Sequence, residues 1–195
     1  MVLHEVLLPS GTSSTAVIHS VHFYDRDEAL IQRLRGVVLS SLDAGNSILT
    51  IATEEHRRQL IEALGFATPE LRTLRKDGRF NCCDAREMLT EIMIDGMPDR
   101  DRFVLLVGTR VSTAKRAAWS AHRGLTVFGE MVTALWEAGN RMGALKLEGL
   151  WNDLLNKHSF HLHCAYPRHI LAASKDPKSI KAICDGHSHL IGQPV

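Results

Sequence analysis

A three-layer α/β fold is the architecture this sequence predicts: a mainly parallel sheet of five strands, or slightly more, with helices on both faces. Short apolar runs rich in β-branched residues alternate with stretches of helical periodicity, the pattern of successive βαβ units. Gly, Asn, Asp and Pro punctuate nearly every change of period. The run Leu125-Thr126-Val127-Phe128 ends in Gly129-Glu130 and passes directly into a helical pattern. That places a carboxylate at the carboxyl end of a buried strand, where open α/β sheets hold their ligands.

The elements follow in order. Residues 1–15 form an N-terminal tail containing the polar segment Pro9 to Thr15, and 16–195 form a single domain. Ala16 to Tyr24 reads as the first strand. Asp25 with Glu28 resembles a capping box for a helix carrying Leu30, Ile31, Leu34, Val37, Val38 and Leu42, which Gly45-Asn46 stops. Ser47 to Thr53 is the second strand, and Thr53 caps a helix with Glu54 and Glu55 in its first turn. Leu71 and Leu74 predict a further helical stretch before Gly78. Phe80 to Cys83 is the third strand, and Asp84 with Glu87 starts another helix.

Asp95 to Asp101 reads as a polar turn, followed by a helix through Phe103, Leu106, Val107, Val111 and Ala114. After the fourth strand, Val132, Leu135 and Trp136 predict a helix ending near Gly139-Asn140. A longer one carries Leu145, Leu147, Leu150, Trp151, Leu154 and Leu155. Phe160 to Tyr166 is the fifth strand, closed by Pro167. Asp176-Pro177 starts a last helix with Ile180, Ile183, Cys184 and His187 on one face.

Composition excludes several classes of function. The 195 residues carry 23 basic and 22 acidic side chains, a net charge of +1, so no basic footprint for nucleic acid or a membrane surface exists. No apolar run has the roughly 18–20 residues of a membrane helix, and the N-terminus lacks the pattern of a signal peptide. Cys82, Cys83, Cys164 and Cys184 form neither a disulfide framework nor a zinc knuckle, which points to reduced thiols in the cytoplasm. The first strand is followed by the glycine-free, acidic Tyr24-Asp25-Arg26-Asp27-Glu28, where a phosphate loop would need glycines and a lysine. GxGxxG and GxSxG are absent as well.

Among residues able to carry chemistry, Asp25, Thr53 and Asp84 are accounted for as helix caps, whereas Glu130 stands at a strand exit without a capping pattern. Strand alternation sets His161, His163 and Ala165 on one face and Leu162, Cys164 and Tyr166 on the other. The His161-x-His163 pair suits a metal only with a third ligand, for which Glu130, His187 or His189 are candidates, and no metal ligand is assigned from it. A hydrogen-bonded histidine is the simpler role. His19 and His22 point to opposite faces of their strand. His187 lies on an apolar helix face. Cys164 suits a buried core position, and Trp136 a core or pocket wall.

His19-x-x-x-Phe23-Tyr24-x-x-Asp27-Glu28, Val127-Phe128-Gly129-Glu130-Met131, Leu135-Trp136-Glu137-x-Gly139-Asn140, Leu147-Glu148-x-Leu150-Trp151-Asn152 and Cys164-Ala165-Tyr166 occur in this order. Together they resemble the MEDS family, the methanogen/methylotroph DcmR-type sensory domain, from about His19 to His189. The resemblance implies a RecA/KaiC-like fold with a degenerate phosphate loop. It also implies a sensory role toward small organic or hydrocarbon-derived ligands. By position it points to His19, Tyr24, Glu130, Cys164 and Tyr166. With Trp136 added as a pocket wall, these are the candidate ligand-binding residues. No catalytic residue and no cofactor is expected.

No helix-turn-helix, PAS or histidine-kinase segment accompanies these motifs, so output is expected through a separate signalling protein, a kinase or transcription regulator, or through self-association. Two alternatives remain open: a metal-assisted hydrolase or lyase using Glu130 and nearby histidines, and a ligand-free oligomerising module.

Overall fold

The computed structural model describes residues 18–120, 124–174 and 176–194. The expected N-terminal tail, and Ala16 and Val17 of the first expected strand, lie outside them. β1 (His19–Tyr24), β2 (Ser47–Ala52), β3 (Phe80–Asp84), β4 (Met93–Ile94), β5 (Met97–Pro98), β6 (Leu125–Gly129), β7 (His161–Pro167) and β8 (His189–Ile191) are the strands. Six of them form one sheet in the order β3-β2-β6-β7-β1-β8, and every neighbouring pair in it is parallel. β8 is an edge strand beyond the expected five. Its His189, Leu190 and Ile191 pair with Ser20, Val21 and His22. β4 and β5 make a separate antiparallel hairpin. The expected polar turn is thus a two-residue hairpin at Asp95-Gly96. Both residues have positive φ, 47° and 77°, as a type I′ turn requires.

Helices cover both faces. On one lie α1 (Asp27–Asp43), α2 (Glu54–Leu64) and α3 (Thr68–Lys76). Leu30, Ile31, Leu34 and Val38 of α1 pack there with Leu60 and Leu64 of α2, and with Tyr24, Ile48, Ala52, Phe128 and Ala165 of the sheet. The other face carries α4 (Ala85–Ile92), α5 (Arg100–Phe103), α6 (Thr109–Ala117), α7 (Met131–Glu137), α8 (Arg141–His158), α9 (Arg168–Ser174) and α10 (Pro177–Asp185). Its larger core sets Val21, Val127, Leu162, Cys164 and Tyr166 of the sheet against Phe103, Leu147, Trp151, Leu154 and Ile183. Burial of such side chains is worth roughly 1.5–3 kcal/mol each, so both faces are driven by the same apolar periodicity.

The caps separate good sequence readings from poor ones. Thr53 accepts from His56 N, Asp84 from Arg86 N and Glu87 N, and Asp176 from Ser179 N. The expected Asp25–Glu28 capping box does not form. α1 starts one residue later, its N-cap is Arg26 with no side-chain bond, and Asp25 instead reaches Arg168 Nη1 at 3.2 Å. The expected helix through residues 103–114 is interrupted by a π-helical turn, Val104–Gly108. This turn leaves Leu105 73% exposed while Phe103 and Val107 stay fully buried. α10 ends at Asp185, so His187 stands beyond the helix and His189 in a strand.

Strand exits fix the site. From β2 the chain runs outward to β3, and from β6 it runs the opposite way to β7. The boundary between these neighbours is the topological switch point, the crevice where ligands of open α/β sheets bind. Thr53 and Glu130 are the first residues after those two strands.

Candidate functional site

The six candidate residues divide between two buried polar centres on opposite faces of the sheet. Tyr24 and Glu130 belong to the first, at the switch point. Glu130 is 2% exposed, and both its oxygens are engaged. Oε2 accepts the Thr53 backbone N–H at 2.8 Å, and Oε1 is bonded to His56 Nδ1. On its far side, His56 Nε2 lies 3.5 Å from Asp27 Oδ1, and the Tyr24 ring stands edge-on at 6.5 Å.

The carboxylate therefore occupies the start of α2, where a helix N-terminus attracts an anion. The protein supplies that anion itself. Burial lowers the His56 pKa, but the hydrogen bond and charge of Glu130, with Asp27 adding, outweigh it and raise the pKa to about 8. Burial and the neighbouring carboxylates push the Tyr24 phenol well above its usual range.

His19, Cys164 and Tyr166 form the second centre with Glu148 of α8 and His187. Strand alternation turns the first three to the α8 face; the sequence indicated the shared face of Cys164 and Tyr166, and the β1–β7 pairing adds His19 to it. α8 contributes Glu148 and, one turn on, Asn152. The four donor groups of His19, Glu148, Cys164 and His187 are all buried and lie within 4.8 Å of one another. His19 Nε2 and His187 Nε2 each stand 3.7 Å from Glu148 Oε2. Cys164 Sγ is 3.5 Å from His19 Nε2 and 4.0 Å from Glu148 Oε2.

Outer partners orient these groups. His19 Nδ1–H donates to Asn152 Oδ1 at 2.8 Å, His187 Nδ1–H to the Ile183 carbonyl at 2.6 Å, and Tyr166 O–H to Glu148 Oε1 at 2.8 Å. Each ring consequently turns an unprotonated Nε2 inward. His187 Nε2 has no hydrogen-bond partner among the described residues. Burial lowers the pKa of His19 and His187 to about 4, with His187 further lowering that of His19. Burial raises the Glu148 carboxyl, partly offset by His19 and Tyr166, and raises the Cys164 thiol, with Glu148 adding to it.

Trp136 flanks this centre from α7. Its ring meets Tyr166 edge-on at 6.0 Å between centroids, and the Arg141 guanidinium lies 5.9 Å from it. Arg141 Nη2 also bonds the Ser174 carbonyl at 3.2 Å, tying α8 to α9 across the indole. Trp136 is 4% exposed, and its Nε1–H has no hydrogen-bond partner among the described residues.

Glu130 is not brought together with His161, His163 or His187. His163 Nδ1 lies 2.5 Å from Ser20 Oγ on the α1 face, while His187 belongs to the α8 face. Sequence reasoning missed His56, Glu148 and Asn152 as site residues. His56 precedes Leu60 and Leu64 at i, i+4, i+8, and Glu148 and Asn152 share an i, i+4 row beside Leu147 and Trp151. A polar residue in register with an apolar stripe was the available signal.

A three-layer parallel α/β domain with buried polar centres under its sheet is the class these features define. The chain belongs to the MEDS family: the model of the MEthanogen/methylotroph, DcmR Sensory domain matches residues 18–184. It is a sensory domain by that membership. No curated protein and no solved structure matches the chain.

Proposed function

We propose that this domain is a cytoplasmic sensor that recognises a small organic molecule at the carboxyl-end side of β7 and relays it to a separate signalling protein, a kinase or transcription regulator. The observation that carries the reading is the Trp136 indole N–H, buried without a partner beside Tyr166. An orphaned buried donor costs about 1–3 kcal/mol, and a ligand oxygen or nitrogen accepting from it recovers that cost. Trp136 and Tyr166 supply aromatic surface, and the Trp136 Nε1–H and Arg141 Nε–H, both buried without a partner among the described residues, supply the few donors that small-molecule sites use.

The route out of the site is short. Tyr166 holds Glu148, so a ligand displacing Tyr166 shifts α8 and the elements packed on it. The near-zero net charge accords with a partner that is neither nucleic acid nor membrane, and no helix among the described residues is long and apolar enough to cross a membrane.

Thermal denaturation with short-chain alcohols, ethers, aldehydes and ketones, each bringing an acceptor oxygen, tests this. A ligand present at a hundredfold excess over its Kd stabilises the native state by about 2.7 kcal/mol, a rise of roughly 5–10 °C in Tm for a chain of this size. Trp136→Phe keeps the aromatic packing and removes the donor, so the rise should fall by half or more. An equal response in the variant refutes the site.

A further inference from the structure

The centre under α8 has a geometry that hydrogen bonding does not explain. His19 Nε2 and His187 Nε2 face Glu148 Oε2 at 3.7 Å, too far for hydrogen bonds. Both rings also donate outward through Nδ1, so neither has a proton to offer the carboxylate. A tetrahedral ion with bonds of about 2.0–2.3 Å holds its ligand atoms about 3.3–3.8 Å apart. The separations of 3.5, 3.7 and 3.7 Å fall in that window, and Cys164–Glu148 at 4.0 Å lies just outside it. The His187 side chain is fully buried, and its Nε2 is aimed into the cluster with no partner.

We propose that His19 Nε2, Glu148 Oε2, Cys164 Sγ and His187 Nε2 bind a divalent, borderline-soft ion of the zinc type. The ion fastens the α10–β8 segment to the sheet.

Charge and chemistry favour this occupant. Two neutral imidazoles, one carboxylate and one thiolate around a divalent ion sum to zero, which suits a site without solvent. On binding, the Cys164 thiol gives its proton to solvent and its sulfur lone pair to the ion, and Glu148 binds as carboxylate. The mixed nitrogen, oxygen and sulfur set matches zinc-class ions rather than magnesium or calcium. Asn152 and the Ile183 carbonyl are the outer partners that metal-bound imidazoles use to fix their tautomer.

His187 connects the ion to the C-terminal segment. It lies between α10 and β8, and β8 is a three-residue edge strand whose Leu190 is 50% exposed. Without the ion that segment is held by the β8–β1 pairings, by the Ser188 hydrogen bonds to the His19 backbone and by Ile180 and Ile183.

The proposal does not rest on the ligand proposed at Trp136: Trp136→Phe removes the organic response and leaves all four metal-binding side chains in place, and loss of metal leaves the Trp136 donor in place. The test uses the full chain, purified without metal resin. Elemental analysis should find about one equivalent of zinc or another first-row divalent ion. After chelation, Co(II) titration should give tetrahedral visible bands and a thiolate-to-cobalt charge-transfer band. Cys164→Ser should abolish the charge-transfer band. His187→Ala should weaken binding by more than tenfold, Asn152→Ala by about 10–100-fold, and His189→Ala not at all.

Trypsin should cut at Lys178 or Lys181 several-fold faster in the chelated protein than in the reloaded one. Circular dichroism identifies any variant that fails to fold, and Asn152→Ala and Cys164→Ser then decide. Folded protein that binds no Co(II), a charge-transfer band surviving Cys164→Ser, or equal cleavage with and without the ion overturns the proposal.

Discussion

Glu130 and Glu148 are both buried acids, yet their surroundings give them opposite characters. Glu130 is paired with a histidine that its charge holds protonated. Glu148 faces two histidines that burial keeps neutral. The first pair makes a pH prediction. His56 has a folded pKa of about 8 against the ordinary histidine value of 6.5, so its contribution to stability is complete below about 6.5 and disappears as pH rises through about 8. The loss is on the order of 1 kcal/mol once screening on the exposed Asp27 side is allowed for. His22 acts oppositely. Burial, with Arg33 adding, lowers its pKa to about 4, so the stability it confers is present above about 6.5 and is lost as pH falls toward 4. Urea unfolding across this range should therefore give a maximum near pH 6.5, and His56→Gln should flatten its alkaline side. A wild-type curve that stays level or rises up to pH 8 contradicts the His56 assignment.

Among the elements, those whose cause is local were legible in the sequence. β1, β2, β3, β6 and β7 are apolar runs bounded by punctuating residues, and Thr53, Asp84 and Asp176 cap as their spacing indicates. β8 was not legible, because His189-Leu190-Ile191 is too short for a period and exists as a strand only through pairing with β1. The π-helical turn was hidden for a related reason: Phe103, Val107, Val111 and Ala114 fit an ordinary helical stripe. The site divides in the same way. Alternation along β7 correctly set Cys164 and Tyr166 on the face opposite His161 and His163. That Glu148 and His187 would meet them depends on how α8 and the β8 edge pack, which no local pattern records. Asp84 offers an element-scale test. It accepts two backbone N–H groups and pairs with Arg57 at 2.7 Å, joining α4 to α2. Asp84→Ala should cost about 1–2 kcal/mol in urea unfolding, more than Asp25→Ala, whose carboxylate caps nothing. Equal costs would show that the cap is not what Asp84 contributes.

At the scale of the whole molecule, the sheet separates the two centres. Glu130, His56, Thr53, Asp27 and Tyr24 close the switch point from the α1–α2 side, and their bonds join β6 to the starts of α1 and α2. Glu148, His19, Cys164, Tyr166 and His187 join β1 and β7 to α8 and α10. No side-chain hydrogen bond or ion pair links one set to the other among the described residues. A single ligand cavity lined by Glu130, Tyr24 and Cys164 would make these groups energetically dependent, whereas two centres on opposite faces make them nearly independent. Double-mutant analysis distinguishes the two arrangements. Glu130→Gln and Glu148→Gln each keep the shape of the side chain and remove its ionisable carboxyl group. In chelator, at one pH, their destabilisations should add to within about 0.5 kcal/mol in the double variant. A coupling energy above about 1 kcal/mol would mean that the carboxylates share a site through the sheet, and the division of the six candidate residues into two centres would fall.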